Sequence, residues 1–156
     1  MIPKIIHYCW FGMGKMPELV ERCIASWHKH MPDWKFKLWN EASLSQTLSL
    51  LKGGEDCWLE YMPQYVQEAY AAKKYAFVSD YVRLWAMERE GGVYLDTDVE
   101  VLRPLDDLLG DTAFIGLEDS LALLPGTCVM GCEAHCQWVK DMLSTYDNAR
   151  FMREDG

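Results

Sequence analysis

Two carboxylates one residue apart interrupt an apolar stretch, EGGVYLDTDVEVL at residues 90–102. If this stretch is a strand, Asp96 and Asp98 face the same side, because side chains two positions apart do so. Two like charges so close together cost free energy when buried, unless a cation compensates them. A divalent metal supplies that cation, and hard carboxylate oxygens favour Mg²⁺ or Mn²⁺ over zinc. On spacing alone, a solvated turn marked by Asp is an equally good interpretation.

The residues before the acids favour the metal site. The apolar residues 93–95 place Asp96 at the carboxyl end of a buried strand, where open α/β sheets bind their ligands. On the preceding predicted helix, Asp80 and Arg83 share a face and form either a surface ion pair or a ligand site. In a ligand site, Arg83 neutralises a phosphate and Asp80 accepts hydrogen bonds from a substrate hydroxyl. Trp10, at the end of the first predicted strand, is a core residue or a platform for a nucleotide base.

The six cysteines indicate free thiols rather than a disulfide scaffold, because they are spread through a chain rich in core-forming residues. One cluster, CVMGCEAHC, holds Cys128, Cys132, His135 and Cys136 and allows a zinc site as an alternative. The same segment is also typical of a strand, a glycine turn and the start of a helix.

The elements that must position these residues begin with a strand–helix–strand unit, which predicts a parallel α/β sheet. A β-rich apolar run at 4–11 is followed by helical spacing from Pro17 to about Met31 and by an alternating, half-exposed strand at 34–40. Further elements are predicted as a helix at 69–90 stopped by two glycines, a strand turned at the acids, a Pro104-led turn, strands at 112–118 and 126–131, and a helix at 132–146. The polar residues from 148 onward are expected to add no packed element.

Composition limits the function further. The chain has 156 residues, half of them hydrophobic, which suffices for one core, so we expect a single domain at 1–156. A formal net charge of −9 argues against nucleic acid and anionic membranes as partners. The sequence has no apolar run of the ~18 residues that span a membrane and no secretory leader, so we expect a soluble cytoplasmic protein.

Three stretches together resemble the DXD-motif glycosyltransferases of family 32: IPKIIHYCWFG, SWHKHMPDWKFKLWNEA and AFVSDYVRLWAMEREGGVYLDTDVEVLRPLDDLL. The resemblance covers about residues 2–118, and its specific part is the ordered string from Ser79 to Asp98. It implies a GT-A-type α/β sandwich with a mostly parallel central sheet and flanking helices. It also implies a nucleotide-sugar donor, with a UDP-sugar favoured, a Mn²⁺ or Mg²⁺ ion, and retention of anomeric configuration. The expected acceptor is a glycan or another hydroxyl compound, in surface or capsular polysaccharide synthesis, at a cytoplasmic site peripheral to the membrane.

The same resemblance assigns roles to individual residues. For the nucleoside, it implies that Trp10 stacks on the base, that Tyr94 lines the donor pocket, and that Asn40 contacts base or ribose.

For the diphosphate and sugar, the resemblance implies that Asp80 and Arg83 hold the donor sugar and its phosphate. It makes Asp96 the acid that contacts ribose or sugar and supports the metal, and Asp98 the direct metal ligand.

Two features depart from the family pattern. The family's catalytic domains run beyond 156 residues and end in a His- or Trp-containing segment at the metal, so we expect the N-terminal part of a longer, C-terminally truncated domain. The segment LPGTCVMGCEAHC replaces an expected Asn-bearing loop, which leaves the acceptor open. Two other functions remain as alternatives: a haloacid-dehalogenase-like phosphatase with Asp96 as nucleophile and Asp98 as acid/base, and a non-catalytic nucleotide- or sugar-binding module.

Overall fold

The centre of the protein is a five-stranded sheet with the strand order β2-β1-β3-β5-β4. The computed structural model describes residues 1–52, 57–119, 121 and 124–152. The strands are β1 (Ile5–Cys9), β2 (Lys35–Trp39), β3 (Gly92–Leu95), β4 (Ala113–Asp119) and β5 (Leu124–Cys132). The helices are α1 (Glu18–His30), α2 (Glu41–Lys52), α3 (Gln64–Ala71), α4 (Tyr75–Glu90) and α5 (Gln137–Ser144), with short 3-10 helices at Trp58–Tyr61 and Asp106–Leu108.

Four of the five strands run in one direction. β1 pairs in parallel with both β2 and β3, so the predicted strand–helix–strand opening is confirmed. β5 is antiparallel to β3 and to β4, which returns β4 to the direction of the first three strands. The mostly parallel α/β sheet with flanking helices is thus confirmed, and its parallel half brings the carboxyl ends of β1, β2 and β3 to one edge.

Two apolar cores cover the two faces of this sheet. On one face, Trp27 and Met31 of α1 pack with Ile6 and Val93 of the sheet. The opposite core is larger and contains residues of α2 to α5 together with the strand residues Cys9, Trp39, Tyr94, Met130 and Cys132. In the part of the chain that the structure describes, none of the helices is both long enough and apolar enough to cross a membrane.

Three predicted elements need correction. The helix predicted at 69–90 is two helices, because Lys73 adopts a positive φ of 57° and the chain turns between α3 and α4. The helix predicted from residue 132 begins only at Gln137, since Cys132 ends β5 and pairs there with Gly92. His135, with a φ of 61°, turns the chain between that strand and α5. The segment holding α2 was given no prediction.

The end of the chain was also predicted wrongly, because its described residues do pack. The Glu68 carboxylate accepts hydrogen bonds from the backbone N–H groups of Phe151 and Met152 and forms an ion pair with Arg150. The Phe151 ring lies against Tyr65 at a centroid distance of 5.5 Å. Long-range contacts of this kind leave no local pattern in the sequence. Residues 153–156 of the predicted tail lie outside the described residues.

A buried histidine ties the first strand to the second and to the end of α4. The indole N–H of Trp39 donates to Nδ1 of His7, which leaves Nε2 as the protonated nitrogen that donates to the Gly91 carbonyl. Burial lowers the pKa of His7, the Gly91 carbonyl and Glu90 oppose that shift, and Lys37 adds to it. His7 is therefore a neutral structural residue of the sheet.

Candidate active site

Two glycines bring the end of α4 into β3 and so set the position of the acids. Gly91 and Gly92 have φ values of +64° and +113°, which L side chains rarely adopt. A Cβ at Gly92 would also lie 2.7 Å from the carbonyl oxygen of Ile5 on β1. Residues 93–95 are then buried, and Asp96 follows directly after the strand with its N–H bonded to the Cys128 carbonyl at 2.9 Å.

A turn separates the two acids. The N–H of Val99 bonds to the Asp96 carbonyl at 3.0 Å, so Thr97 and Asp98 occupy the turn rather than a continuing strand. The predicted break of the strand at the acids is confirmed. The common side that we expected for Asp96 and Asp98 is reached through this turn, since both line one cavity.

That cavity has a volume of about 580 Å³ and lies where β1 and β3 end, beside α4. We call it the acid cavity. Five of the seven predicted site residues line it: Trp10, Arg83, Tyr94, Asp96 and Asp98. The remaining lining residues are Cys9, Phe11, Val20, Tyr75, Ala76, Ser79 and Thr97. Its size falls within the range typical of small-molecule sites.

The other two predicted residues line neighbouring cavities. Asp80 lines a smaller cavity of about 220 Å³, the Asp80 cavity, and Arg83 lines both this cavity and the acid cavity. Asn40 lines a third cavity of about 650 Å³, which shares Trp10 with the acid cavity. The side-chain oxygen of Asn40 accepts from the N–H of Ser43 at 2.9 Å, so Asn40 also caps α2.

Arg83 is the most heavily bonded of the predicted residues. Its side chain is 7% exposed, and Nη1 donates to both the carbonyl and the hydroxyl of Thr127 at 2.9 Å. Nη2 donates to Asp80 at 2.5 Å, Asp96 lies 3.6 Å from Nη1, and the guanidinium lies 4.6 Å from the centre of the Tyr94 ring. Arg83 thereby joins α4 to β5 and to the residue that follows β3.

An irregularity in β5 makes this connection possible. Ile115 of β4 pairs with Met130, but the next residue, Gly116, pairs with Gly126, so residues 127–129 bulge out of the β4–β5 ladder. The Thr127 carbonyl is consequently free to accept from Arg83. Bulges often redirect residues beside functional sites in this way.

The electrostatics around Arg83 are asymmetric. Burial raises the pKa of Asp80, Arg83 opposes that rise, and the charge of Asp96 adds to it. Without Arg83 the Asp80 pKa would rise further, because the one opposing charge would be lost. Burial also raises the pKa of Tyr94 well above its ordinary value, so its hydroxyl remains a neutral donor to the Asp96 carboxylate at 2.9 Å.

Asp98 differs from the other acids because it is exposed and its carboxylate has no hydrogen bond or ion pair to any described residue. Within the described ranges, no group of three or more His, Cys, Asp or Glu residues is placed to hold a metal ion. A hard divalent cation fits this arrangement nonetheless, since Mg²⁺ is commonly held by one or two carboxylates together with substrate phosphates and waters. The donor set is unsuited to zinc, which prefers four protein ligands in structural sites.

The cysteine cluster is not a metal site among the described residues, so its zinc alternative is wrong there. All six cysteines are free thiols, as predicted. Cys132 is buried at the end of β5, Cys136 lies at the start of α5, and His135 pairs instead with Glu88.

Sequence reasoning missed two residues that shape the site. Glu41, the first residue of α2, accepts from the N–H of Gly12 at 2.7 Å and from the Tyr70 hydroxyl at 3.0 Å, which fixes the loop after β1. Its place next to Asn40, at the end of a predicted strand, was a usable signal. Thr127, the partner of Arg83, lies 44 positions away in a bulge that has no recognisable sequence pattern.

Comparisons with known proteins agree with this geometry. Residues 17–115 match the family model described as "Glycosyltransferase sugar-binding region containing DXD motif". The match spans more than half of the 156 residues and includes all but two of the predicted site residues that line the acid cavity or its neighbours' walls on α4 and β3, namely Asp80, Arg83, Tyr94, Asp96 and Asp98. The chain belongs to this family.

Several curated proteins are similar to this chain. Inositol phosphoceramide mannosyltransferases 1 and 3 of Schizosaccharomyces pombe are 27% and 30% identical to it over 117 residues, which is 73% of this chain but 33% and 29% of those proteins. Glucan organizing enzyme 1 of Cryptococcus neoformans is 46% identical over 48 residues, or 31% of this chain and 13% of that protein. The chain thus spans about a third or less of the length of these relatives.

A solved structure confirms the fold. The structure titled "PaToxG Glycosyltransferase" superposes with a TM-score of 0.68, covering 92% of this chain and 59% of that chain at 20% identity. The central sheet with its flanking helices is therefore consistent with the GT-A-type fold that the sequence predicted.

Proposed function

We propose that this chain is the donor-binding part of a metal-dependent, retaining glycosyltransferase that moves a hexose from a nucleotide-sugar to a hydroxyl acceptor. The observation that carries the proposal is the acid cavity, which gathers an aromatic platform, a buried cation and two carboxylates at the ends of two parallel strands. Membership of the DXD family and the names of the relatives, two of them mannosyltransferases, support the same class of reaction.

In this proposal, Asp98 holds a Mn²⁺ or Mg²⁺ ion, because its carboxylate is exposed and unpaired among the described residues. Asp96, held by the Tyr94 hydroxyl, supports the ion and contacts ribose or sugar. When bound, the ion offsets the negative charge that develops on the departing diphosphate. Trp10 lies between two cavities, with its indole N–H fixed to the Gly14 carbonyl at 2.7 Å, and supplies a stacking surface for the base.

Arg83 has a narrower role here than a clamp on phosphate. Four of its five N–H groups already donate to Ser79, Thr127 and Asp80. We assign to it a fixed positive charge at the wall of the cavity and the positioning of Asp80, whose second oxygen is left to accept from a sugar hydroxyl. A preorganised charge of this kind stabilises developing negative charge without rearrangement.

The proposed transfer breaks the bond between the anomeric carbon and the diphosphate oxygen and forms a bond from that carbon to the acceptor oxygen. The acceptor's proton passes to the departing diphosphate, so the products are a glycoside and a nucleoside diphosphate. The proposal assigns no general base and no covalent nucleophile to the chain.

Several finer points belong to the proposal. The family resemblance favours a UDP-sugar as donor, a glycan as acceptor in surface or capsular polysaccharide synthesis, and a cytoplasmic location peripheral to the membrane. We also propose that residues 1–156 form one folding unit that belongs to a longer catalytic domain, because the chain spans about a third of its mannosyltransferase relatives.

A panel of nucleotide-sugars tests this function. With Mn²⁺ and one donor at 100 times its Kd, binding to the folded state adds about 2.7 kcal/mol of stability, which a thermal-shift assay resolves easily. We expect a shift with at least one UDP- or GDP-sugar and none with the sugar alone. The proposal fails if no nucleotide-sugar shifts the midpoint, or if the protein instead hydrolyses a generic phosphomonoester in a metal-dependent way, as the phosphatase alternative requires.

A further inference from the structure

An apolar cavity of about 570 Å³ lies between the β4–β5 hairpin and α5, outside the acid cavity. It is lined by Ala113, Phe114, Ile115, Pro125, Thr127, Trp138 and Met142. None of these seven residues is charged, so a polar ligand would lose its hydration there without gaining partners. The volume is that of an ordinary small-molecule site.

This apolar cavity is continuous with the proposed active site through shared walls. Thr127 and Met142 line both the apolar cavity and the Asp80 cavity. Arg83, in turn, lines both the Asp80 cavity and the acid cavity. The three cavities therefore follow one another in a row, from the free carboxylate of Asp98 through the Asp80 carboxylate to an apolar end.

The middle and apolar cavities offer different chemistry. In the Asp80 cavity, a carboxylate and the hydroxyl-bearing ring of Tyr146 suit a sugar or polyol, because they can accept hydrogen bonds and pack against a ring face. In the apolar cavity, the indole nitrogen of Trp138 is buried and has no hydrogen-bond partner among the described residues. Buried donors are rarely left unpaired, so an oxygen atom of a ligand next to Trp138 would remove a cost of the unliganded protein.

We propose that the acceptor is amphipathic, with a hydroxyl-bearing head group in the Asp80 cavity and an alkyl chain in the apolar cavity. The inference rests on the proposed function, since it takes the acid cavity as the donor site. An alkyl chain is favoured over a purely polar glycan because Phe114, Ile115 and Pro125 offer no partners for hydroxyl groups.

Alkyl β-glucosides of increasing chain length test the proposal by calorimetry, each below the concentration at which it forms micelles. We expect affinity to rise about fourfold per added methylene from methyl to octyl glucoside, with an increasingly negative heat-capacity change that marks apolar burial. In the unmutated protein, methyl NMR signals of Ile115 and Met142 should shift on titration with octyl glucoside. Affinity that does not depend on chain length, or unchanged methyl signals, would overturn the proposal.

A matched pair of variants locates the site. Ile115→Glu places a charge in the wall of the cavity at a residue that is 37% exposed, and we expect it to abolish the dependence on chain length. Leu117→Glu changes a residue that is 51% exposed on the same strand but outside the cavity, and should leave that dependence intact. Equal effects of the two variants would contradict the proposal.

The same preparations separate this inference from the function on which it rests. Metal-dependent binding of a nucleotide-sugar together with glucoside binding that ignores chain length would refute the amphipathic acceptor alone. Loss of both would refute the proposed function as well.

Discussion

Replacing Arg83 by lysine tests whether one buried side chain holds the proposed site together. Lysine keeps the positive charge but concentrates three donors at one point, whereas the guanidinium reaches Ser79, Thr127 and Asp80 in different directions. The substitution therefore removes geometry rather than charge. We expect the protein to fold, with a clear loss of stability.

The size of that loss follows from the contacts. A hydrogen bond to a charged group contributes about 1.5–3 kcal/mol, and lysine can keep either the Asp80 contact or the Thr127 contact but not both. The stacking of Arg83 on the Tyr94 ring, at 4.6 Å, adds about 0.5–1 kcal/mol. The sum is about 2–4 kcal/mol, since Asp80 is 41% exposed and retains partial hydration. For a chain of this length, each kcal/mol lowers the melting temperature by about 2–4 °C, so we expect a decrease of about 4–16 °C.

Urea unfolding followed by far-UV circular dichroism measures this loss. Arg89→Lys is the matched control on the same helix, because Arg89 is exposed and contacts the Trp85 ring alone among the contacts described for it. It should change the free energy of unfolding by less than about 0.5 kcal/mol. If Arg83→Lys is as stable as Arg89→Lys, the described network does not hold α4 to β5, and our account of Arg83 is wrong.

Three further predictions concern the scaffold. Because burial lowers the pKa of His7 below its ordinary 6.5, the stability that His7 contributes is complete above that pH and is lost as the pH falls towards the lowered value; the drop in urea midpoint between pH 7.5 and 5.5 should be smaller in His7→Gln than in the unmutated protein, and an equal drop would contradict this. Gly92→Ala should cost about 1–3 kcal/mol from its positive φ and its clash with Ile5, whereas Gly110→Ala, in open space, should be nearly neutral in the same assay. Asn40→Ala removes the cap of α2 and should cost about 1 kcal/mol, and Asn40→Ser should recover most of that loss.

The sequence was informative about the site where local patterns are strong. Glycines 91 and 92 followed by three apolar residues predicted a buried strand ending at Asp96, and that prediction is confirmed because the sheet needs no more than local spacing to form there. The family resemblance added Trp10, Tyr94 and Arg83, which the fold does bring to one cavity with the acids.

The rest depends on contacts between distant segments. Lys73 takes a positive φ because α3 and α4 pack on different elements, and no residue type at that position announces a turn. Asp80 lies in a separate cavity from the acids because Arg83 stands between them, and the partner that holds Arg83, Thr127, comes from a bulge. The packing of Phe151 is likewise fixed by Glu68, far earlier in the chain.

The central claim is that Asp98 binds a metal ion through which a nucleotide-sugar is held in the acid cavity. Calorimetry of a nucleotide-sugar with and without Mn²⁺, on the unmutated protein and on Asp98→Asn, tests it most directly. We predict binding that requires Mn²⁺ and weakens at least about tenfold in Asp98→Asn, with no change in Asp111→Asn, an exposed acid that lines none of the four cavities. Binding that is indifferent to both Mn²⁺ and Asp98 would contradict the account.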